Sequence, residues 1–213
     1  LTPNLDKWDT TDDIRRGMGL DGAAALRRFV ERGGVLITTG NTSRLPITLG
    51  FNPTVSEGEA RTLRAGGGVF RAKGDTTGSP IVYGYERATF PVYFNQSPLF
   101  AVSPRDTSGR LDAVDPAIMA DIERQRGRIV LKFHEKADSL LVSGLLVNGS
   151  EMTGRAAVVD APVGRGRVVL FGIRPMWRWQ SQGTFAMLLN AMVHWDHLGT
   201  VTTADKPTVA AGQ

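Results

Sequence analysis

From Gly154 to Leu198 the chain reads GRAAVVDAPVGRGRVVLFGIRPMWRWQSQGTFAMLLNAMVHWDHL, a β-hairpin, a charged aromatic loop and an apolar helix in succession. The hairpin comes from the β-branched runs Ala156 to Ala161 and Arg167 to Phe171. They are joined by Pro162-Val163-Gly164-Arg165-Gly166, whose glycines supply the positive φ that a short loop needs. Val168-Val169-Leu170-Phe171 is apolar without alternation, so it reads as a strand covered on both faces inside a layered α/β sheet. From Gly183 to His197 the period turns helical: Phe185, Leu188, Leu189, Met192, Val193 and Trp195 give a wide buried stripe, with Ser181 or Thr184 as a cap. Between hairpin and helix lies Arg174-Pro175-Met176-Trp177-Arg178-Trp179-Gln180, a strand-to-helix loop where open α/β folds hold their ligands.

Upstream, residues 1–19 read as a polar loop, and Asp21 as the cap of a helix through Arg32 with Leu26, Phe29 and Val30 on its apolar face. Gly33 stops that helix and Val35 to Thr39 follows as a strand, the second half of a βαβ unit whose first strand is missing. With Leu1 as first residue, the expectation is the C-terminal part of a longer protein. From about residue 51 to 113 the helical period gives way to short apolar runs punctuated by glycine and proline, a β-rich insertion. Asp115-Pro116 opens a helix with Ile118, Met119 and Ile122 on its apolar face; Arg128 to Phe133 and Ser139 to Val147 follow as strands. Residues 200–213, without periodicity, read as a disordered tail, which leaves one α/β domain over residues 1–199.

With 25 Lys and Arg against 21 Asp and Glu, the net charge is only +4 and no long basic block is present, which argues against a nucleic-acid partner. No apolar run approaches the ~20 residues needed to cross a bilayer, so no membrane segment is expected. The absence of cysteine excludes disulfides and thiol nucleophiles in the chain.

Few residues in the chain stand in a pattern that chemistry needs. Asn190, His194 and His197 share one helical stripe opposite the apolar face, better read as a solvated or docking surface than as metal ligands, and His134-Glu135 point to opposite faces of a strand. No metal or cofactor is expected in this segment. Thr39-Gly40-Asn41-Thr42-Ser43-Arg44 follows a strand where α/β enzymes place a nucleophile, but it lacks the Gly-x-Ser-x-Gly spacing; Ser43 or Thr42 would serve a divergent hydrolase. Gly66-Gly67-Gly68 and Gly164-Arg165-Gly166 lack the lysine and hydroxyl of a phosphate loop. The patch Tyr83, Tyr85, Phe90, Tyr93, Phe94, Asn95, Gln96 and Ser97 lines a groove or covers core edges. Arg174, Trp177, Arg178, Trp179 and Gln180 remain the candidate binding residues. Planar guanidiniums and indole faces suit a peptide carboxylate, a glycan ring or another domain, and equally an internal cation–π staple.

The stretches PVYFNQSPLF (Pro91 to Phe100), LLVSGLL (Leu140 to Leu146), GRAAVVDAPVGRGRVVLFG (Gly154 to Gly172) and RPMWRWQSQGTFAMLLNAMVHWDHL (Arg174 to Leu198) resemble the C-terminal region of bacterial zinc carboxypeptidase-like proteins of peptidase family M-fourteen. GLDGAAALRRFVERGGVLITTG (Gly19 to Gly40) resembles the class I glutamine amidotransferase-like domain appended to that peptidase. The resemblance implies a flavodoxin-like three-layer sandwich, N-terminally incomplete, belonging to a secreted or periplasmic protein. Its zinc would sit in the upstream peptidase domain, held by a His-x-x-Glu motif and a distant histidine that have no counterpart here, so no catalytic residue carries over. The cysteine nucleophile of amidotransferase-like enzymes is missing too. The expected role is an accessory domain that contacts the upstream domain of the same polypeptide; the alternatives are a serine/threonine hydrolase and a carbohydrate-binding module.

Overall fold

A computed structural model describes residues 17–74, 78–103 and 115–199, and the readings of the entry loop before Gly17 and of the tail from Thr200 lie outside them. The chain is mixed α/β, with a large, mostly antiparallel sheet and four α-helices among the described residues. In chain order these are α1 (Gly19–Glu31), β1 (Val35–Thr39), α2 (Arg44–Thr48), β2 (Val55–Glu57), β3 (Gly68–Gly74), β4 (Thr89–Phe94), β5 (Phe100–Val102), α3 (Pro116–Gln125), β6 (Arg128–Phe133), β7 (Leu141–Ser143), β8 (Ala156–Val163), β9 (Gly166–Phe171) and α4 (Phe185–Val193). The strand order is β1-β9-β8-β6-β3-β4, with β5 on β8, β2 on β5 and β7 on β3.

The hairpin forms as its sequence dictates. Gly164, at φ +59°, and Arg165 make a two-residue turn between β8 and β9, pairing Val163 with Gly166 and Val158 with Phe171. Side chains alternate across the two strands: Val159, Ala161, Val168 and Leu170 join the cluster of Val30 on α1, while Val158, Val169 and Phe171 join that of Met187 and Ala191 on α4. Cover on both faces is why the run lacks polar alternation. Among the described residues only the β1–β9 pair is parallel, from Val35 opposite Arg167 to Thr39 opposite Phe171.

Several local expectations shift. The β-rich stretch after residue 51 supplies β2 to β5, which belong to the same sheet as the hairpin. Helix α1 starts at Gly19 with Met18 in the cap position, so Asp21 lies in its first turn; Val30 is buried while Phe29 stays 54% exposed. Asp115 does cap α3, its Oδ1 accepting from Ala117 N at 2.7 Å, yet α3 buries no residue and leaves Ile118 and Ile122 exposed. Ser139 to Val147 yields the short β7 and a single bridge from Val147 to Arg64, because Ala137–Ser139 is a helical turn and the chain bends at Gly144, φ +109°. Helix α4 spans only Phe185–Val193 and buries Met187 and Ala191, so Leu189, Met192 and Val193 of the expected buried stripe, and Trp195 beyond the helix, are exposed. Thr184 occupies its cap position, but its hydroxyl donates to Pro175 O (2.7 Å) instead of accepting from the helix.

A carboxylate ties the outer loops together. Glu151 accepts from the Thr62 hydroxyl (2.6 Å), from Thr62 N (3.1 Å) and from Leu63 N (3.0 Å), and these bonds, the hydroxyl's first, hold its pKa below the usual carboxylate value. A depressed folded pKa contributes stability above the unfolded value, lost as pH falls through the folded one. In an NMR titration the Thr62 and Leu63 amides are therefore expected to move together with a midpoint below ~4.3, the ordinary glutamate value. A midpoint at or above that value contradicts the tie.

Candidate functional site

The C-terminal ends of parallel strands are where an α/β sheet opens a crevice, since the loops leaving neighbouring strands diverge there. Here the ends belong to β1 and β9, followed by the turn Gly40–Ser43 and by the Arg-Trp loop. They enclose a crevice of about 520 Å³, with Thr39, Asn41, Thr42 and Arg174 as its polar wall and Met176, Trp177 and Leu188 on its apolar side.

Trp177 is the centre of the loop. Its indole stacks on Tyr93, centroids 5.1 Å apart and planes 8° from parallel, and the guanidiniums of Arg174 and Arg178 lie 4.7 and 5.0 Å from its centroid. Such contacts are each worth about 0.5–2 kcal/mol. Backbone bonds fix the frame: Arg174 N donates to Tyr93 O (3.0 Å), Trp177 N donates to Ser181 Oγ (2.9 Å), and Ser181 Oγ donates to Pro175 O (2.9 Å). Arg178 and Trp179 both adopt positive φ, 45° and 60°, a left-handed conformation that costs about 1–2 kcal/mol for each residue with a Cβ. The stack and the serine clip hold the loop against that strain.

The five candidate residues therefore separate. Arg174 and Trp177 line the crevice, Arg178 rests on Trp177, and Gln180 lines a different crevice of about 250 Å³ bounded by Gly67, Tyr93 and Ser143. Trp179 touches Phe185 edge-on (5.4 Å) and is 73% exposed. The cation–π staple exists, built on Trp177, while Trp179 remains on the surface. A sugar platform needs an open ring face, and Trp177 is already covered by Tyr93 and the arginines.

The aromatic patch upstream resolves mainly into core edge: Phe90, Phe94 and Ser97 are buried, and Tyr85 donates to Gly183 O (2.8 Å). Burial raises the Tyr85 phenol's pKa, and a backbone hydrogen bond partly opposes it. Tyr93 is the member that matters, and only strand pairing brings it under Trp177. Ser43 is fully buried, donates to Phe171 O (3.1 Å) and accepts from Thr38 Oγ1 (3.0 Å), and the Thr42 hydroxyl bonds Thr39. Neither has a histidine or carboxylate among its partners in the described residues. Asn190 donates to Ile81 O and Tyr83 O, His194 packs edge-on against Tyr83 (5.3 Å), and His197 contacts Asp196. Among the described residues no three His, Cys, Asp or Glu side chains group as metal ligands. No described helix is long and apolar enough to cross a membrane.

No protein-family model matches the sequence, and no curated protein does. Among solved structures it is similar to a Salmonella typhimurium protein described as cytoplasmic protein STM3548, with 14% identity and a TM-score of 0.44. The match covers 82% of this chain and 60% of that one, so the chain spans about 60% of its neighbour's length.

Proposed function

We propose that the chain is a non-catalytic docking module, an incomplete flavodoxin-like, class I glutamine amidotransferase-like domain whose β1 edge is completed by an upstream segment of the same polypeptide. The state of that edge carries the reading. Among the described residues β1 pairs with β9 alone, and Val35, Leu36 and Ile37 are only half-buried despite their apolar sequence. Phe29 of α1, 54% exposed, lies so close to Gly34 that a Cβ there would meet its ring, and α4 leaves Leu189, Met192 and Val193 exposed. An unpaired edge together with exposed apolar side chains calls for a cover. A strand preceding α1 would enter by a right-handed crossover parallel to β1, and the side away from β9 is the one open to it.

The parent is a secreted or periplasmic zinc metallocarboxypeptidase-like protein, a reading supported by the resemblance of the stretches between Pro91 and Leu198. Zinc belongs to the upstream domain; the described residues here do not fit it.

The full polypeptide supplies the test. Amide protons of Val35 to Thr39 are expected to be protected from exchange there and to exchange faster in the 213-residue chain alone. Phe29→Glu and Val193→Glu, at exposed positions, are expected to change the chain's own stability by about 0.5 kcal/mol or less while abolishing association with the upstream part. Equal exchange in both proteins overturns the docking reading; a polypeptide without zinc-dependent release of C-terminal residues overturns the parent.

A further inference from the structure

Arg126 pairs with Glu123, and Arg128 and Arg167 with Asp160, at 2.5–2.8 Å. Among the described residues the half-buried Arg174 guanidinium has no carboxylate partner; its Cζ lies 4.7 Å from the Trp177 ring centroid, and it lines a crevice whose wall contains no acidic side chain. The backbone passes tightly behind it, since a Cβ at Gly40 would lie 3.3 Å from Arg174 Nε.

We propose that this crevice binds a carboxylate carried on an apolar body, Arg174 taking the carboxylate oxygens and Met176, Trp177 and Leu188 the apolar part. The planar fork of a guanidinium matches two carboxylate oxygens, and stacking on an indole fixes that fork before the ligand arrives. Thr39, Asn41 and Thr42 add polar groups to a lining that also holds Met176, Trp177 and Leu188, so the crevice offers both kinds of surface that the ligand carries. A phosphate dianion is the poorer fit. One guanidinium supplies the charge, no lysine lines the crevice, and Gly40 N, at the start of the turn behind it, already donates to Ile173 O. The crevice volume of about 520 Å³ admits a phenylalanine-sized acid with room for further residues. The inference is independent of what pairs with β1.

The experiment uses the 213-residue protein, with N-acetyl-phenylalanine, its amide and inorganic phosphate as probes, read by calorimetry and by the Arg174 Nε–H resonance. N-acetyl-phenylalanine is expected to bind saturably and to shift that resonance, with the amide about tenfold weaker or worse. Arg174→Gln is expected to lose binding by about the same factor, whereas Arg61→Gln, at an exposed position outside the crevice wall, retains it. Comparing 3-phenylpropionate with N-acetyl-Gly-Gly-Phe separates the sources: tighter binding of the peptide assigns the site to the terminal carboxylate of a polypeptide, and equal or tighter binding of the simple acid assigns it to a small molecule. Failure of every acid to saturate, equal affinity for acid and amide, or tighter binding of phosphate overturns the proposal. The acid and amide comparison needs no variant, so it stands even where Arg174→Gln fails to fold.

Discussion

Asp160→Ala is expected to destabilise the protein by about 3–5 kcal/mol, lowering the thermal midpoint by roughly 6–20 °C. Asp160 sits on β8 with its side chain fully buried, its Oδ2 accepting from Arg128 Nη2 (2.6 Å) and its Oδ1 from Arg167 Nε (2.5 Å). Register explains the meeting. Arg128 on β6 stands opposite Asp160; Val169 on β9 does too, and Arg167, two residues from Val169, shares its face. Arg128 also donates to Gly78 O (2.6 Å) and to Leu198 O, so the carboxylate anchors the charge that fastens the segment after α4. Removing it leaves two guanidiniums, about one-fifth exposed, facing each other without an anion. A buried ion cluster is costly to break and cheap to replace. The triple variant Arg128→Met, Asp160→Leu, Arg167→Leu is accordingly expected to recover most of the loss in urea denaturation. A loss under about 1 kcal/mol for Asp160→Ala would mean that water screens the cluster as it does a surface pair.

How far the sequence was legible depended on whether the signal was local. The hairpin, the Val35 strand and the Asp115 cap rest on turn glycines, β-branched runs and a proline-led helix start, and they formed within a few residues of expectation; the α4 stripe did not, because the helix turns Met187 and Ala191 inward and leaves Leu189, Met192 and Val193 exposed, with Trp195 beyond it. Strand direction was not local. The apolar run at Val168 reads the same in a parallel or an antiparallel sheet, because cover on both faces removes the alternation in either case. The place of the stretch after residue 51 in the sheet was not local either: β2 and β5 are three residues each, too short for a period, and pair with partners far along the sequence. For the site, the Arg-Trp loop stood out by composition, and its position after β9 was readable. Its internal order was not: Tyr93 stacks on Trp177 from a distant strand, which no spacing encodes. Asp160 is the sharpest case, since a lone carboxylate in an apolar run says nothing of the arginines on two neighbouring strands.

Gly166→Ala is the second large effect. A Cβ at Gly166 would stand 2.1 Å from Val30 O and 2.2 Å from Gly34 O, backbone atoms that no rotamer change can move aside. The hairpin turn lies directly against the end of α1, where Arg165 N donates to Glu31 O (3.0 Å) and Arg167 N to Gly34 O (3.2 Å). Relief requires the turn between α1 and β1 to separate from the start of β9, loosening both bonds and the packing of fully buried Val30. Overpacking of about 1–3 kcal/mol with two bonds of about 1 kcal/mol each gives an expected loss of about 3–5 kcal/mol. Arg165→Ala, which keeps the backbone and removes only an exposed side chain bonded to Arg32 O, is expected to change stability by less than about 1 kcal/mol. Chemical shifts locate the damage: Gly166→Ala should move the amides of Val35 to Thr39, whose register on β9 begins one residue away at Arg167, while β3 and β4 stay in place. A Gly166→Ala protein as stable as its parent, or shifts spread evenly over the sheet, would mean that the turn and the helix end give way together. The α1–β1 unit would then be only loosely seated on the hairpin.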